Sequence, residues 1–352
     1  MRILFNIYFI GVGGAERVTS ILVNELAKRG HDIHLVVHSK IEPEYPINDD
    51  IHFYRLGEHK YDQLKEIIVD VQPDIIVAVT NFDMIHYILM DLSSDIPTIA
   101  SDHTNFQKET SSFTHHIRFY YYTFADVVTV LTENDKEFMK DTLHNMKVMY
   151  NPLTFPRLDH KVERRKSILC VGRISAWDVK GFDNMIRMWG KIAHKHPDWC
   201  LEIVGDSAEE KDYLTLLNIV QEENVSDSVY FLGWCDDVDM IMQKCSIFAL
   251  SSREEGFPCV LLEAMSQGCT PVAFAIRGNI NEIITDGEDG FVVPDGDFDT
   301  FIKKLEELMD NEDLREQMGE KAIASMERFE MNKIVDKWEE LLIDTVNKKK
   351  QS

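Results

Sequence analysis

At 352 residues with a formal net charge of −24, the chain is longer than one hydrophobic core ordinarily organises, so two domains are expected. The acidic balance holds in both halves and excludes a generic nucleic-acid binder, whose surface must be basic to meet phosphates. No apolar run approaches the eighteen or so residues of a membrane span.

In chain order, short apolar runs alternate with helical patterns. The first half reads as strand 2–9, helix 14–29, strand 33–38, a run at 51–56, helix 61–71, strand 74–79, helix 83–91 and strand 96–100. It continues with helix 112–124, strand 126–131, helix 133–142 and strand 147–150. The second half repeats the alternation, with strands near 167–171, 200–204, 228–232, 245–250, 270–274 and 290–293 and helices between them. Such alternation argues for parallel sheets covered on both faces, the α/β class. Asn151-Pro152-Leu153 and the charged stretch to Lys166 read as the connection, which gives domains 1–153 and 154–330 and a final amphipathic helix within 331–352. The opening segment enters a strand directly, with no signal-peptide layout. The six cysteines form no C-x-x-C pair and read as reduced core thiols. A cytoplasmic location is expected.

In open α/β sheets ligands bind beyond the carboxyl ends of the strands, and the residues there carry chemistry. Gly11-Val12-Gly13-Gly14-Ala15-Glu16-Arg17 follows the first strand and opens a helix, letting backbone amides approach a ligand. It is no dinucleotide fingerprint, because Glu16 stands where that pattern needs glycine. His103 follows the strand at 96–100. Gly172-Arg173 and Lys180-Gly181 follow the first strand of the second half. Gly233-Trp234 ends another strand. Asp236, Asp237 and Asp239 resemble a D-x-D metal motif only superficially and are explained by helix capping. After the strand 245–250, Glu254-Glu255-Gly256-Phe257 forms a loop, and Pro258 opens a helix through Gln267, stopped by Gly268. The amides at that helix start favour a phosphate. Glu255 and Glu263 then flank the phosphate site as two acceptors, which suits a ligand with hydroxyls at both ends of a diphosphate, as in a nucleotide sugar.

The block Glu255-Gly256-Phe257-Pro258-Cys259-Val260-Leu261-Leu262-Glu263-Ala264-Met265 closely resembles the signature of the retaining glycosyltransferases of family 4, which have the GT-B architecture, and the resemblance runs along nearly the whole chain. It implies two Rossmann-like domains facing across a cleft, the first binding the acceptor and the second the nucleotide sugar, with the last helix crossing back to the first domain. By the same resemblance Glu255 holds donor-sugar hydroxyls and Glu263 the ribose. Arg173 and Lys180 clamp the diphosphate, and Gly13 and Gly14 face the donor phosphates. His103 touches the donor sugar near its reacting carbon. Gly233 and Trp234 lie by the nucleobase, and Gly256, Phe257 and Val260 complete the donor site. No cofactor or metal is implied, only a nucleotide-sugar co-substrate, most simply UDP-linked. The acceptor is a glycan, by analogy a lipid-linked oligosaccharide for a surface polysaccharide. The aromatic, partly basic segment from His115 to Phe124 reads first as a helix packed on the core with one wet face, and alternatively as a peripheral contact with the inner face of the cell membrane. Two rival readings are a nucleotide-sugar 2-epimerase of the same architecture, recognised by donor consumption without UDP release, and a non-catalytic scaffold, excluded by release of UDP.

Overall fold

The structure is a computed structural model and describes residues 1–8, 10, 11, 13–39, 43, 45–79, 88, 95–106 and 112–351. It divides into two compact units, Met1–Pro152 with Met331–Ser352, and Leu153–Glu330. Leu153, read from sequence as the end of the first domain, belongs to the second. Its side chain is buried and its amide donates to the Phe329 carbonyl at 2.8 Å.

The first unit holds seven parallel strands, β1 (Arg2–Ile7), β2 (Asp32–Val37), β3 (His52–Arg55), β4 (Ile75–Val79), β5 (Thr98–Ser101), β6 (Val127–Val130) and β7 (Met146–Val148). Their spatial order is β3-β2-β1-β4-β5-β6-β7. Successive side chains on a strand point to opposite faces, and here both faces are covered. Ile3, Phe5 and Ile7 of β1 pack on one side with Leu22, Val23 and Leu26 of the helix Gly14–Lys28. Leu4 packs on the other side with Leu64 and Ile68 of the helix Lys60–Val71. Burial on both faces explains the nearly unbroken apolar runs.

The terminal helix Met331–Gln351 completes this unit. Ile334, Val335, Trp338, Leu342 and Val346 join the β1 cluster, each contributing roughly 1.5–3 kcal/mol by burial. Its polar side is held by Glu339, which accepts from Arg29 at 2.9 Å and pairs with His31 at 2.8 Å.

Six parallel strands form the second sheet, β8 (Arg165–Val171), β9 (Cys200–Val204), β10 (Val229–Gly233), β11 (Cys245–Leu250), β12 (Thr270–Phe274) and β13 (Phe291–Val293), ordered β10-β9-β8-β11-β12-β13. In both units the chain starts at a central strand, adds two strands to one side, then returns to add the rest on the other. That reversal leaves a crevice beyond the carboxyl ends of β1 and β4, and of β8 and β11, where ligands of such sheets bind.

Two sequence expectations change. The helix expected over 112–124 ends at Phe119 and resumes as a 3-10 turn, Tyr121–Phe124. Tyr122 is drawn into the core there, and its hydroxyl donates to Asp102 at 3.0 Å. Pro258 is the extended residue before the helix Cys259–Ser266 rather than its first turn. The helix expected at 83–91 lies, apart from Ile88, outside the described residues, as does Val12 of the glycine loop.

Candidate active site

Of the charged residues named from sequence, the second unit brings Lys180 and Glu255 into contact. Arg173 stands exposed just past the end of β8. Lys180, on a single helical turn Trp177–Lys180, reaches back so that its stem lies over Gly172, where an added Cβ would come within 3.1 Å of it. Its Nζ donates to Glu255 Oε1 at 2.8 Å, and the Ser252 hydroxyl donates to the same oxygen at 2.8 Å. Both partners of this ion pair are largely buried, so little water screens the attraction.

Two close backbone approaches fix the pair. Gly181 adopts φ +66°, and a Cβ there would fall 1.9 Å from the Ser251 carbonyl oxygen. The Ser251 hydroxyl in turn donates to the Gly181 carbonyl at 2.9 Å. At the end of β9, Gly205 has φ +145° and would bring a Cβ within 1.8 Å of the Gly172 carbonyl. Only glycine fits such positions. Outside this knot, Arg253 forks onto Asp183 with two bonds of 2.8 and 2.7 Å, the planar geometry in which arginine binds a carboxylate most firmly.

Glu263 is no solvated helix residue. It is buried within the helix Cys259–Ser266 and accepts from the Thr154 hydroxyl at 2.5 Å. Gly256 precedes that helix, and its carbonyl accepts from Asn279 at 2.7 Å, a fully buried residue that sequence reasoning missed. The Phe257 ring is buried edge-on against Phe329, centroids 5.5 Å apart, so Phe257 can offer a ligand only its backbone. Val260 is half-buried in the first helical turn. Gly233 ends β10 with φ +70°, and the Trp234 ring after it is 58% exposed. The capping expected of the aspartates is not what holds them. Asp237 makes no side-chain cap bond, and Asp236 accepts from the Trp234 indole at 2.8 Å.

The remaining predicted residues, Gly13, Gly14 and His103, belong to the first unit. Gly13 caps the helix Gly14–Lys28 in an extended conformation, and a Cβ at Gly14 would meet nothing within 4 Å. His103 lies two residues past β5, its Nε2 3.1 Å from the Ser101 hydroxyl and its Nδ1 sealed from solvent. Beneath it is a buried network that the sequence did not disclose. Asp102 accepts from Arg118 Nε at 3.1 Å, from Tyr122 at 3.0 Å and from the Thr104 amide at 2.9 Å. Arg118, within the aromatic, partly basic segment, is fully buried, with its guanidinium 4.2 Å from the centre of the Phe106 ring. The one sequence signal was an acidic residue directly after an apolar strand.

Burial holds His103 neutral, pushing its pKa down to about 4 against the pull of Asp102. Unfolded histidine protonates near pH 6.5. Between those values only the unfolded state binds the proton, so stability is complete above pH 6.5 and declines toward pH 4, by on the order of 3 kcal/mol. Asp135 opposes this. Burial raises its carboxyl to about 6, so its own contribution falls as pH rises from about 4 to 6. Comparison with His103→Gln isolates the histidine. In urea unfolding, wild type should lose that amount relative to the variant between pH 7 and pH 4, and a constant difference would show a solvated ring.

Two parallel sheets of this strand order, one with an ion-paired lysine and glutamate at its crevice, define an α/β protein of two Rossmann-like domains. The family described as Glycosyltransferase Family 4 matches residues 12–154, and that described as Glycosyl transferases group 1 matches residues 156–325. An uncharacterized glycosyltransferase of Haemophilus influenzae is 29% identical over 97% of this chain and 99% of its own. The GalNAc-alpha-(1->4)-GalNAc-alpha-(1->3)-diNAcBac-PP-undecaprenol alpha-1,4-N-acetyl-D-galactosaminyltransferase of Campylobacter jejuni is 23% identical over 99% of each chain. Among solved structures, Anabaena HepE in complex with UDP matches with a TM-score of 0.81 and 19% identity, covering 98% of this chain and 100% of its own. The chain belongs to the family 4 glycosyltransferases of GT-B architecture, and it is an enzyme that transfers glycosyl groups. No helix among the described residues is long and apolar enough to cross a membrane.

Proposed function

We propose that the enzyme moves a sugar from a UDP-linked donor to a hydroxyl of a lipid-linked glycan during surface polysaccharide assembly, with retention of configuration and without a metal cofactor. The observation that carries this reading is the Lys180–Glu255 pair at 2.8 Å, at the carboxyl ends of β8 and β11. The Campylobacter relative is named for an undecaprenol-linked substrate and the Anabaena structure holds UDP, which supports both substrate classes.

In this reading Lys180 and Glu255 neutralise each other until the donor arrives. The diphosphate then takes Lys180 together with Arg173, and Glu255 turns to the sugar hydroxyls. As the bond from C1 to the diphosphate oxygen breaks, negative charge gathers on the leaving group, where two preorganised cations stabilise it as a metal ion does elsewhere. The acceptor oxygen bonds to C1 from the leaving-group face, and its proton passes to a diphosphate oxygen. No carboxylate attacks the sugar, unlike the double displacement of retaining glycosidases. Glu263 holds the ribose and neutral His103 the donor sugar. Gly13, Gly14, Gly233, Gly256 and Phe257 contribute backbone, and Trp234 and Val260 side-chain surface. The half-exposed rings of Tyr120 and Phe124, 5.4 Å apart, support a peripheral contact with a lipid surface bearing the acceptor.

Stereochemistry tests the mechanism. An α-linked UDP-sugar should give an α-linked product by NMR, with the intact protein mass unchanged after incubation with a fluorinated donor, and turnover should survive EDTA. A β-linked product, a glycosylated protein, or turnover lost to EDTA and restored by Mg²⁺ would each overturn the part of the reading it addresses.

A further inference from the structure

At the opposite, amino end of the first sheet, a second cluster plays no part in that chemistry. Asp32 and His34 are two apart on β2 and so share a face, and His52 of β3 is the register partner of His34. Asp32 Oδ1 lies 3.3 Å from His34 Nε2 and 3.4 Å from His52 Nε2, and the three ligand atoms all fall within 4.8 Å of one another. The imidazoles stack with centroids 4.5 Å apart.

The His34 side chain is only 8% exposed. Its Nε2 is buried and makes no well-directed hydrogen bond with any described residue, despite the nearness of Asp32. Its other nitrogen, Nδ1, is 3.1 Å from the Tyr54 hydroxyl. A tyrosine oxygen accepting Nδ1–H fixes the tautomer whose Nε2 lone pair faces the cluster, the outer-shell arrangement usual for a metal-binding histidine. Arg2, the neighbouring cation, approaches the other carboxylate oxygen of Asp32, Nε to Oδ2 at 3.4 Å, and leaves Oδ1 to the histidines.

We propose that Asp32, His34 and His52 bind a first-row divalent ion of the Zn²⁺ type, clamping the edge strand β3 to β2. Two observations favour a tetrahedral ion. Ligands about 2.0–2.1 Å from such an ion stand roughly 3.3 Å apart, which the two Asp32 separations match. His52 is 57% exposed, so the fourth position opens to water. Two imidazoles and one carboxylate suit zinc better than magnesium or calcium, which prefer all-oxygen shells. β3 is a four-residue edge strand with one hydrogen-bonded neighbour, and a metal bridge secures such an edge without a longer ladder.

The test uses untagged, metal-free, full-length protein titrated with Zn²⁺ against a chromophoric chelator. Wild type should take up one ion that His52→Ala and Asp32→Asn do not. Excess Zn²⁺ should raise the Tm of wild type by several degrees and that of His52→Ala by less than about one. Co²⁺ should give the visible bands of a tetrahedral site only in wild type. Since His52 is largely exposed, its removal leaves the core intact, so failure to fold does not cloud the result. No uptake by wild type, or equal uptake by His52→Ala, which would mean adventitious binding elsewhere on the chain, overturns the site. Chelation should lower the Tm of the zinc form while leaving turnover at room temperature unchanged, which separates this site from a metal used in catalysis.

Discussion

Replacing Lys180 by alanine is expected to lower kcat by a hundredfold or more, about 2.7 kcal/mol of transition-state stabilisation, while changing donor KM less. The reason is when the charge is needed. A bound donor already carries its diphosphate charge, but the bond to C1 adds to it as it breaks, and a buried cation gains most from that addition. Arg173→Ala should act in the same direction. A bland alternative holds that Lys180 merely neutralises Glu255, with which it pairs at 2.8 Å. If so, Glu255→Gln would remove the need for the lysine, and adding Lys180→Ala to that variant would do no further harm. We expect the double variant to remain at least tenfold slower than Glu255→Gln alone. Glu263→Gln should behave differently, chiefly raising the dissociation constant of UDP, because a ribose contact is made equally in ground and transition states. Steady-state kinetics with calorimetric UDP binding separates these outcomes, and wild-type values in all the variants would remove the site assignment.

How much of this was legible in the sequence depends on where each residue's partner lies. Strands 200–204, 245–250 and 270–274 were delimited to the residue, because a strand buried on both faces is an apolar block cut off by polar or turn residues. The half-exposed segment at 51–56 showed only as a run, since an edge strand lacks that contrast. Glu255 and Lys180 were named by motif, but their bond joins residues 75 positions apart and follows from strand order, which periodicity does not reveal. The partner of Arg118 was hidden for the same reason. Helical spacing does not say which face of 115–124 an arginine occupies, nor that the buried Asp102, 16 residues earlier, receives it. The register of β2 against β3 likewise determines whether His34 and His52 meet, and a shift of one residue would turn one of them to the other face.

The crevice of the second unit rests on backbone contacts, so its most damaging small substitution should be Gly181→Ala. Two effects combine there. At φ +66° an alanine is in the left-handed region, which costs roughly 1–2 kcal/mol. Its methyl would also lie 1.9 Å from the Ser251 carbonyl oxygen, a backbone atom that cannot rotate away. The loop after β11 must then separate from the turn carrying Lys180, breaking the 2.9 Å bond from the Ser251 hydroxyl to the Gly181 carbonyl. Expected losses are at least about 3 kcal/mol of stability, at the upper end for single substitutions, and most of the turnover of whatever protein remains folded, because Lys180 and Glu255 sit on the two segments forced apart. Gly14→Ala is the control, since a Cβ there meets nothing within 4 Å and alanine is the better helix former, so its urea midpoint should equal or exceed that of wild type. Should Gly181→Ala unfold within about 1 kcal/mol of wild type and keep its turnover, the close approach of Gly181 to Ser251 is not what positions Lys180 and Glu255 for the donor.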